Sequence, residues 1–137
     1  MKLENLLKEI EKMKKETQIL EITRIEMLEE TQNTSENELN EKIKLINEIS
    51  QKITKIKQKT KEKRDFCDFL IKENFEEIDI KLFVLRRYRK ITYSKIAEIL
   101  NYSDKQIMRR YRKILDFEIQ ENYLCAPLKI EGRGGVE

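Results

Sequence analysis

Apolar residues recur every three or four positions over most of this 137-residue chain. That is the spacing of one face of an α-helix. In the first segment Leu3, Leu6, Ile10, Met13, Thr17, Leu20 and Met27 follow a rough seven-residue pattern. Leu7, Ile25 and Leu28 widen the stripe. The pattern predicts a long amphipathic helix from about Lys2 to Glu30. A wholly polar run, Thr31 to Asn37, follows. Ser35 with Glu38 makes a capping box, the signature of a new helix. Because the break lacks Gly and Pro, one uninterrupted helix is the alternative.

The second segment, about Glu36 to Lys72, has the cleaner repeat. Ile46, Ile49, Ile53, Ile56, Thr60, Lys63, Cys67 and Leu70 step by three and four. A helix of that length reaches roughly 55 Å. Its narrow stripe needs a partner, either the first helix folded back or a second copy of the chain. A hairpin that also dimerises is favoured, but the spacing does not separate pairing within a chain from pairing between chains. Thr60 and Lys63 interrupt the apolar repeat, so the seam is expected to weaken towards its C-terminal end.

A third helix is expected from about Phe75 to Arg89, capped by Asn74 with Glu77. Ile78, Leu82, Leu85 and Tyr88 form its inner stripe, with Phe83 and Val84 beside it. Next, Thr92 can cap a short helix from Tyr93 to Leu100, with Ile96, Ala97 and Leu100 on one face. Asn101 falls where a left-handed residue ends that helix, and Asn is the usual choice after Gly. Ser103 opens a second helix, and Gln106 completes its capping box. In it Ile107, Tyr111 and Ile114 face inward. This window reads as a helix-turn-helix.

Composition supports a helical chain throughout. The glycines are Gly132, Gly134 and Gly135, the one proline is Pro127, and nothing before residue 127 breaks a helix. The expected fold is all-α: an N-terminal long-helix coiled coil or helical hairpin, then a C-terminal three-helix helix-turn-helix domain. The expected division is 1–72 for oligomerisation, 73–120 for the helix-turn-helix, and a flexible tail over 121–137.

Charge sharpens the picture. The net charge of +3 resolves into a net of −4 over residues 1–40, +5 over 41–72, +1 over 73–90, +4 over 91–115 and −3 over 116–137. Positive charge is thus concentrated in the second segment and the helix-turn-helix window. The sequence holds no histidine, and Cys67 and Cys125 stand far apart. That spacing matches no metal site, and two lone cysteines without a secretory signal fit a reducing cytoplasm. No apolar run is long enough to cross a bilayer. With no Gly-rich phosphate loop and no cysteine beside a base, the expectation is no enzyme, no cofactor and no metal.

Candidate DNA contacts follow from the window. Lys105, Gln106, Arg109 and Lys113 lie on the outer face of the second helix, and Arg and Gln carry the paired donors that read guanine and adenine edges. Arg110 and Arg112 flank them and suit phosphates or acidic neighbours. Thr92, Tyr93 and Ser103 stand at the two helix starts, where hydroxyls reach the DNA backbone. The alternative for the basic residues is an ordinary solvated face; for Tyr93, Tyr102 and Tyr111 it is packing. Arg86, Arg87, Arg89 and Lys90 could touch phosphates or RNA polymerase, or form a solvated helix end. The lysines from Lys52 to Lys63, with Arg64, extend a DNA footprint or, as favoured, pair with the acidic first helix.

Residues Leu82–Leu115 resemble the promoter-reading C-terminal domain of bacterial sigma factors. The matching positions are Arg87-Tyr88, Ile91-Thr92-Tyr93, Ile96-Ala97, Leu100 and Tyr102-Ser103. The layout, coiled coil first and this domain last, is similar to phage-encoded sigma-like transcription regulators. Members of that group often carry glycine before the Leu/Ile-Thr pair, where this chain has Lys90, which implies a different turn. Nothing in the sequence corresponds to the sigma domain that melts the second promoter element, so the resemblance implies a regulator that does not initiate alone. It implies double-stranded DNA as partner, contact with RNA polymerase and the cytoplasm of a bacterial host cell; the helical stripes add a homo-oligomer, a dimer being favoured, and the lack of a long apolar run adds no membrane. The competing readings are a DNA-packaging recognition subunit similar to the small terminase of phages, and a coiled-coil protein-interaction module.

Overall fold

The computed structural model describes residues 1–120. The expected flexible tail, with Cys125, Pro127 and the three glycines, lies outside the described residues. Within them the chain is helical: α1 (Leu3–Glu30), α2 (Glu36–Asn74), α3 (Glu77–Phe83), α4 (Tyr93–Leu100) and α5 (Asp104–Leu115). A 3-10 turn, Thr31–Asn33, separates α1 from α2, and a wider π-type turn, Val84–Tyr88, extends α3. The break at residues 31–35 settles the choice between one long helix and two. It forms without Gly or Pro because threonines satisfy the helix end. Thr31 Oγ1 donates to Leu28 O at 2.6 Å and Thr34 Oγ1 to Glu30 O at 2.7 Å. Helical bonding resumes with Leu39 N–H to Ser35 O at 2.8 Å.

The helices distribute over two compact units, Lys8–Lys63 and Met1–Leu7 with the residues from Arg64 onward. The parting lies at Lys63/Arg64 rather than at the expected 72/73, and seven N-terminal residues join the second group.

In the first unit α1 and α2 pair within the chain. Glu9 meets Lys63 at 3.1 Å, Glu21 meets Lys57 at 2.9 Å, Arg24 donates to Ser50 Oγ at 3.2 Å, and Glu30 meets Lys42 at 3.8 Å. Partner numbers fall as α1 advances, so the two helices run antiparallel. Between them Ile10, Thr17, Ile46, Ile53 and Thr60 are buried. The two threonines are tolerated there because each hydroxyl donates to the carbonyl four residues back, Met13 O at 3.0 Å and Ile56 O at 2.7 Å. The seam therefore does not weaken at Thr60. Ile25 and Leu28 do not widen it either: they are 56% and 49% exposed. A two-helix layer buries one stripe on each helix and leaves wider positions in water.

The second unit has the denser core. Leu3, Cys67, Leu70, Leu82, Ile96, Ile107 and Ile114 have 0% exposure, with Leu6, Phe66, Ile71, Phe83 and Ile119 close behind. Cys67 and Leu70, on the last turns of α2, thus belong to this core, which is why the division falls before them. The N-terminus closes against the chain beyond α5. Leu3 N–H donates to Phe117 O at 2.8 Å and Ile119 N–H to Met1 O at 2.9 Å. Lys2 and Glu118 pair as an isolated antiparallel bridge. Phe117 meets the Phe75 ring edge-on at 5.5 Å.

Two expectations for α3 change. Asn74 does not cap it; its amide donates to Leu70 O at 2.8 Å and serves the end of α2. The inner stripe also shifts. Leu82 and Phe83 are buried, while Val84 and Tyr88 are exposed. The reason is the π-type turn, in which Arg89 N–H reaches back five residues to Val84 O at 3.1 Å. The extra residue rotates everything after Phe83 out of a 3.6-residue register.

The N-terminal closure makes a stability prediction. Leu3→Ala should lower the unfolding free energy by about 2–5 kcal/mol. Glu16→Ala, on an exposed position at the flank of the same helix, should change it by less than about 0.5 kcal/mol. Urea titration followed by circular dichroism compares the two, and equal losses would contradict the placement of Leu3 in the core.

Candidate nucleic-acid interface

The α4–α5 pair is built by local signals at each joint. Thr92 is extended, at φ −66° and ψ 154°, and its Oγ1 accepts Lys95 N–H at 3.3 Å. That caps α4. Asn101 takes the left-handed conformation, φ 62° and ψ 47°, and stops the helix. Tyr102 N–H then closes on Ala97 O at 2.9 Å. Ser103 Oγ accepts Gln106 N–H at 3.2 Å while Gln106 Oε1 accepts Ser103 N–H at 3.0 Å. This reciprocal box fixes the first turn of α5. Two residues, Asn101 and Tyr102, therefore join α4 to the Ser103 cap of α5.

The turn before α4 also has a left-handed residue. Lys90 sits at φ 55°. That is the left-handed region, which favours glycine and is costly for lysine. The surroundings enforce it. Ile91 N–H donates to Leu85 O at 3.1 Å, and Arg86 Nη1 donates to Ile91 O at 3.1 Å.

The inner face of α5 holds Ile107, Tyr111 and Ile114, all buried, as the spacing predicts. The Tyr93 ring packs edge-on against Tyr111 at 5.9 Å, and the Arg86 guanidinium lies 4.1 Å from its centroid. Tyr93 is half-buried and is in the first place a packing residue.

On the outer face the candidates separate into two groups. Lys105, Arg109 and Lys113 are exposed, at four-residue steps along one line of the helix. They make no ion pair with any described residue. Arg110 and Arg112 are engaged. Arg110 Nη1 bonds Asp79 Oδ1 at 2.8 Å, approaches Glu76 Oε1 at 4.0 Å, and its guanidinium lies 5.5 Å from the Tyr102 ring. Arg112 Nη2 bonds Glu4 Oε1 at 2.9 Å and Asp116 Oδ1 at 3.0 Å. The Asp116 carboxyl is held below the ordinary carboxylate range, first by its hydrogen bond from Arg112. Both arginines thus meet acidic neighbours within the fold. Thr92, Ser103 and Gln106 are exposed, with side chains already committed to caps. Gln106 keeps its amide NH₂ for an outside acceptor.

The basic residues before α4 divide likewise. Arg86 serves Ile91 and Tyr93, and Arg87 donates to Leu7 O at 3.2 Å. Arg89 and Lys90 are exposed. In the Lys52–Arg64 run, Lys57 and Lys63 pair with Glu21 and Glu9 on α1, and Arg64 lies 6.0 Å from the Tyr88 ring. Lys52, Lys55 and Lys59 are exposed.

Asp79 is the residue the sequence reading missed. It is buried, and its carboxylate ties α3 to α5. A signal was present: it lies three and four residues before Leu82 and Phe83, on the same face of α3. Beside it opens a cavity of about 340 Å³, lined by Glu76 and Asp79 on one side and by Gln106, Arg109, Arg110 and Lys113 on the other. Opposed carboxylates and guanidinia make this a structural contact with an open flank.

Other chemistry is thin. Burial, then the neighbouring Asp68, pushes the Cys67 thiol up to about 12, so it stays protonated and unreactive at neutral pH. Among the described residues no three His, Cys, Asp or Glu side chains gather to hold a metal, and no helix is long and apolar enough to cross a membrane.

No family model, curated protein or solved structure matches this chain.

Lys90 offers a test of the turn. The left-handed conformation costs a non-glycine residue about 1–2 kcal/mol, and glycine forfeits roughly 0.5–1 kcal/mol of chain entropy. Lys90→Gly should therefore raise stability by about 0.5–1 kcal/mol in urea titration. A loss of stability would mean that this turn does not hold Lys90 left-handed.

Proposed function

We propose that the protein is a sequence-specific DNA-binding transcription regulator of phage or mobile-element genes. In this reading α4 and α5 are a helix-turn-helix and α5 enters the major groove. The observation that carries it is the line Lys105, Arg109 and Lys113. Three cations stand exposed on a helix whose opposite face is buried, while the other two arginines of α5 are neutralised by carboxylates of the fold. That row meets no carboxylate among the described residues, and a DNA-reading helix needs such a row. Arg109 and the free amide of Gln106 are the base readers, and Lys105 and Lys113 bind phosphates. Arg110 and Arg112 set the pitch of α5 rather than touch DNA.

The resemblance to sigma-like phage regulators supports the same reading. Contact with RNA polymerase is the part carried by the resemblance alone, and exposed Arg89 and Lys90 are its candidate residues. A homo-oligomer, a dimer in the simplest case, would read two half-sites about one turn of DNA apart.

The test starts from a random duplex library selected on the full-length protein. On the enriched duplex, Arg109→Ala should weaken binding roughly 5- to 150-fold, the worth of one bidentate base contact of about 1–3 kcal/mol. Arg112→Ala should stay within about twofold, since that side chain contributes to the fold. Fluorescence anisotropy measures both. No enriched duplex, or equal losses for the two variants, would overturn the reading.

A further inference from the structure

The unit formed by residues 8–63 is under-packed for its apolar content. Its buried apolar residues are Ile10, Ile46 and Ile53, while Ile19, Ile22, Ile25, Leu28, Ile43 and Leu45 are all at least 44% exposed. Two antiparallel helices make one layer, and a layer with apolar residues on its outer surface needs a second.

The outer face of α1 indicates what covers it. Lys15, Ile22 and Glu29 are spaced by seven, about two turns, so they share one line of the helix. All three are exposed. Ile19 and Ile25 flank Ile22 at three residues on either side, 64% and 56% exposed against 58% for Ile22. The pattern is a palindrome about Ile22. At three residues either way stands isoleucine; at seven stands a lysine on one side and a glutamate on the other. Neither Lys15 nor Glu29 makes an ion pair with a described residue.

From this we infer that two copies of the chain pair antiparallel through the outer faces of their α1 helices, about a two-fold axis at Ile22. Ile22 meets its own copy. Ile19 of each copy meets Ile25 of the other, and Lys15 of each meets Glu29 of the other. A two-fold interface must be self-complementary, and this face becomes so only when the helices are antiparallel in that register. A parallel pair would set lysine on lysine and glutamate on glutamate.

The charge of the whole unit favours the same arrangement. Residues 19–48 carry three basic and eight acidic side chains, a net of −5. Residues 8–18 and 49–63 carry ten basic and four acidic ones, a net of +6. The two ends lie further apart than the screening length of about 8 Å at physiological salt. Each end therefore feels chiefly what lies beside it, and antiparallel pairing puts opposite charge there. No other occupant is required: the chain supplies both halves of the match.

The arrangement deepens the oligomer part of the proposed function and does not depend on DNA binding. Its test uses full-length protein, mixed from isotopically light and heavy batches and treated with a zero-length carbodiimide reagent. Lys15 and Glu29 of one copy stand roughly 21 Å apart along α1, so a direct bond between them can form only between copies. The expected result is a dimer in sedimentation equilibrium and a Lys15–Glu29 cross-link joining light to heavy chains. Lys15→Glu should weaken the dimer roughly tenfold or more, since it places like charges together twice. Adding Glu29→Lys to the same chain should restore it, which a merely structural effect would not do. A monomer at all concentrations would overturn both the dimer and this arrangement. A dimer without the cross-link, or a double variant as weak as the single one, would overturn the arrangement alone.

Discussion

The unit that carries α4 and α5 depends on its closure by the chain's own beginning. Met1 and Leu3 exchange backbone hydrogen bonds with Phe117 and Ile119, and Leu3, Leu6 and Leu7 fill the core that α5 caps. Burying a leucine fully is worth roughly 1.5–3 kcal/mol, so this short segment supplies a large part of the margin by which a small domain is stable. The same closure brings Glu4 to Arg112 and Leu7 O to Arg87. Residues more than a hundred positions apart therefore fix which cations of α5 are engaged and which stay exposed. On the α3 side Asp79 does the same for Arg110. The outer row Lys105, Arg109 and Lys113 is what these two constraints leave over.

Local signals were legible in the sequence, and long-range ones were not. The caps at Thr92 and Ser103, the left-handed Asn101 and the inward triad Ile107, Tyr111 and Ile114 all stand where the spacing puts them. Each depends on residues within four positions, and a pattern of that range is written in the chain. The exchange between Met1 and Ile119 leaves no periodic trace, so a boundary drawn from the helical repeat lies at 72/73. The π-type turn at Val84–Tyr88 is invisible for another reason. Its residues fit a regular helix equally well, and only the bond from Arg89 to Val84 shifts the register. The exposure of Ile25 and Leu28 is a third kind of miss. Periodicity says which residues could face a partner, but not how many partners the fold provides.

Division of labour along α5 gives the proposed function its physical basis. A helix with five basic side chains might use them all on nucleic acid, or all on its own fold. Here two are spent on carboxylates, which orients the helix, and three are kept for solvent. Rigid presentation matters because base readout tolerates little positional error. In residues 8 to 63 the thin seam, buried threonines and exposed isoleucines suit the association inferred for α1.

The central claim is that this protein reads DNA by sequence. The most direct measurement is capture of fragmented genomic DNA by the purified full-length protein at a low and a high salt concentration, followed by sequencing. The account predicts a small set of promoter-proximal sites that persist at high salt, because base contacts survive when phosphate contacts are screened. Retention that is uniform across the genome and vanishes with salt would contradict it, as would enrichment confined to a packaging start.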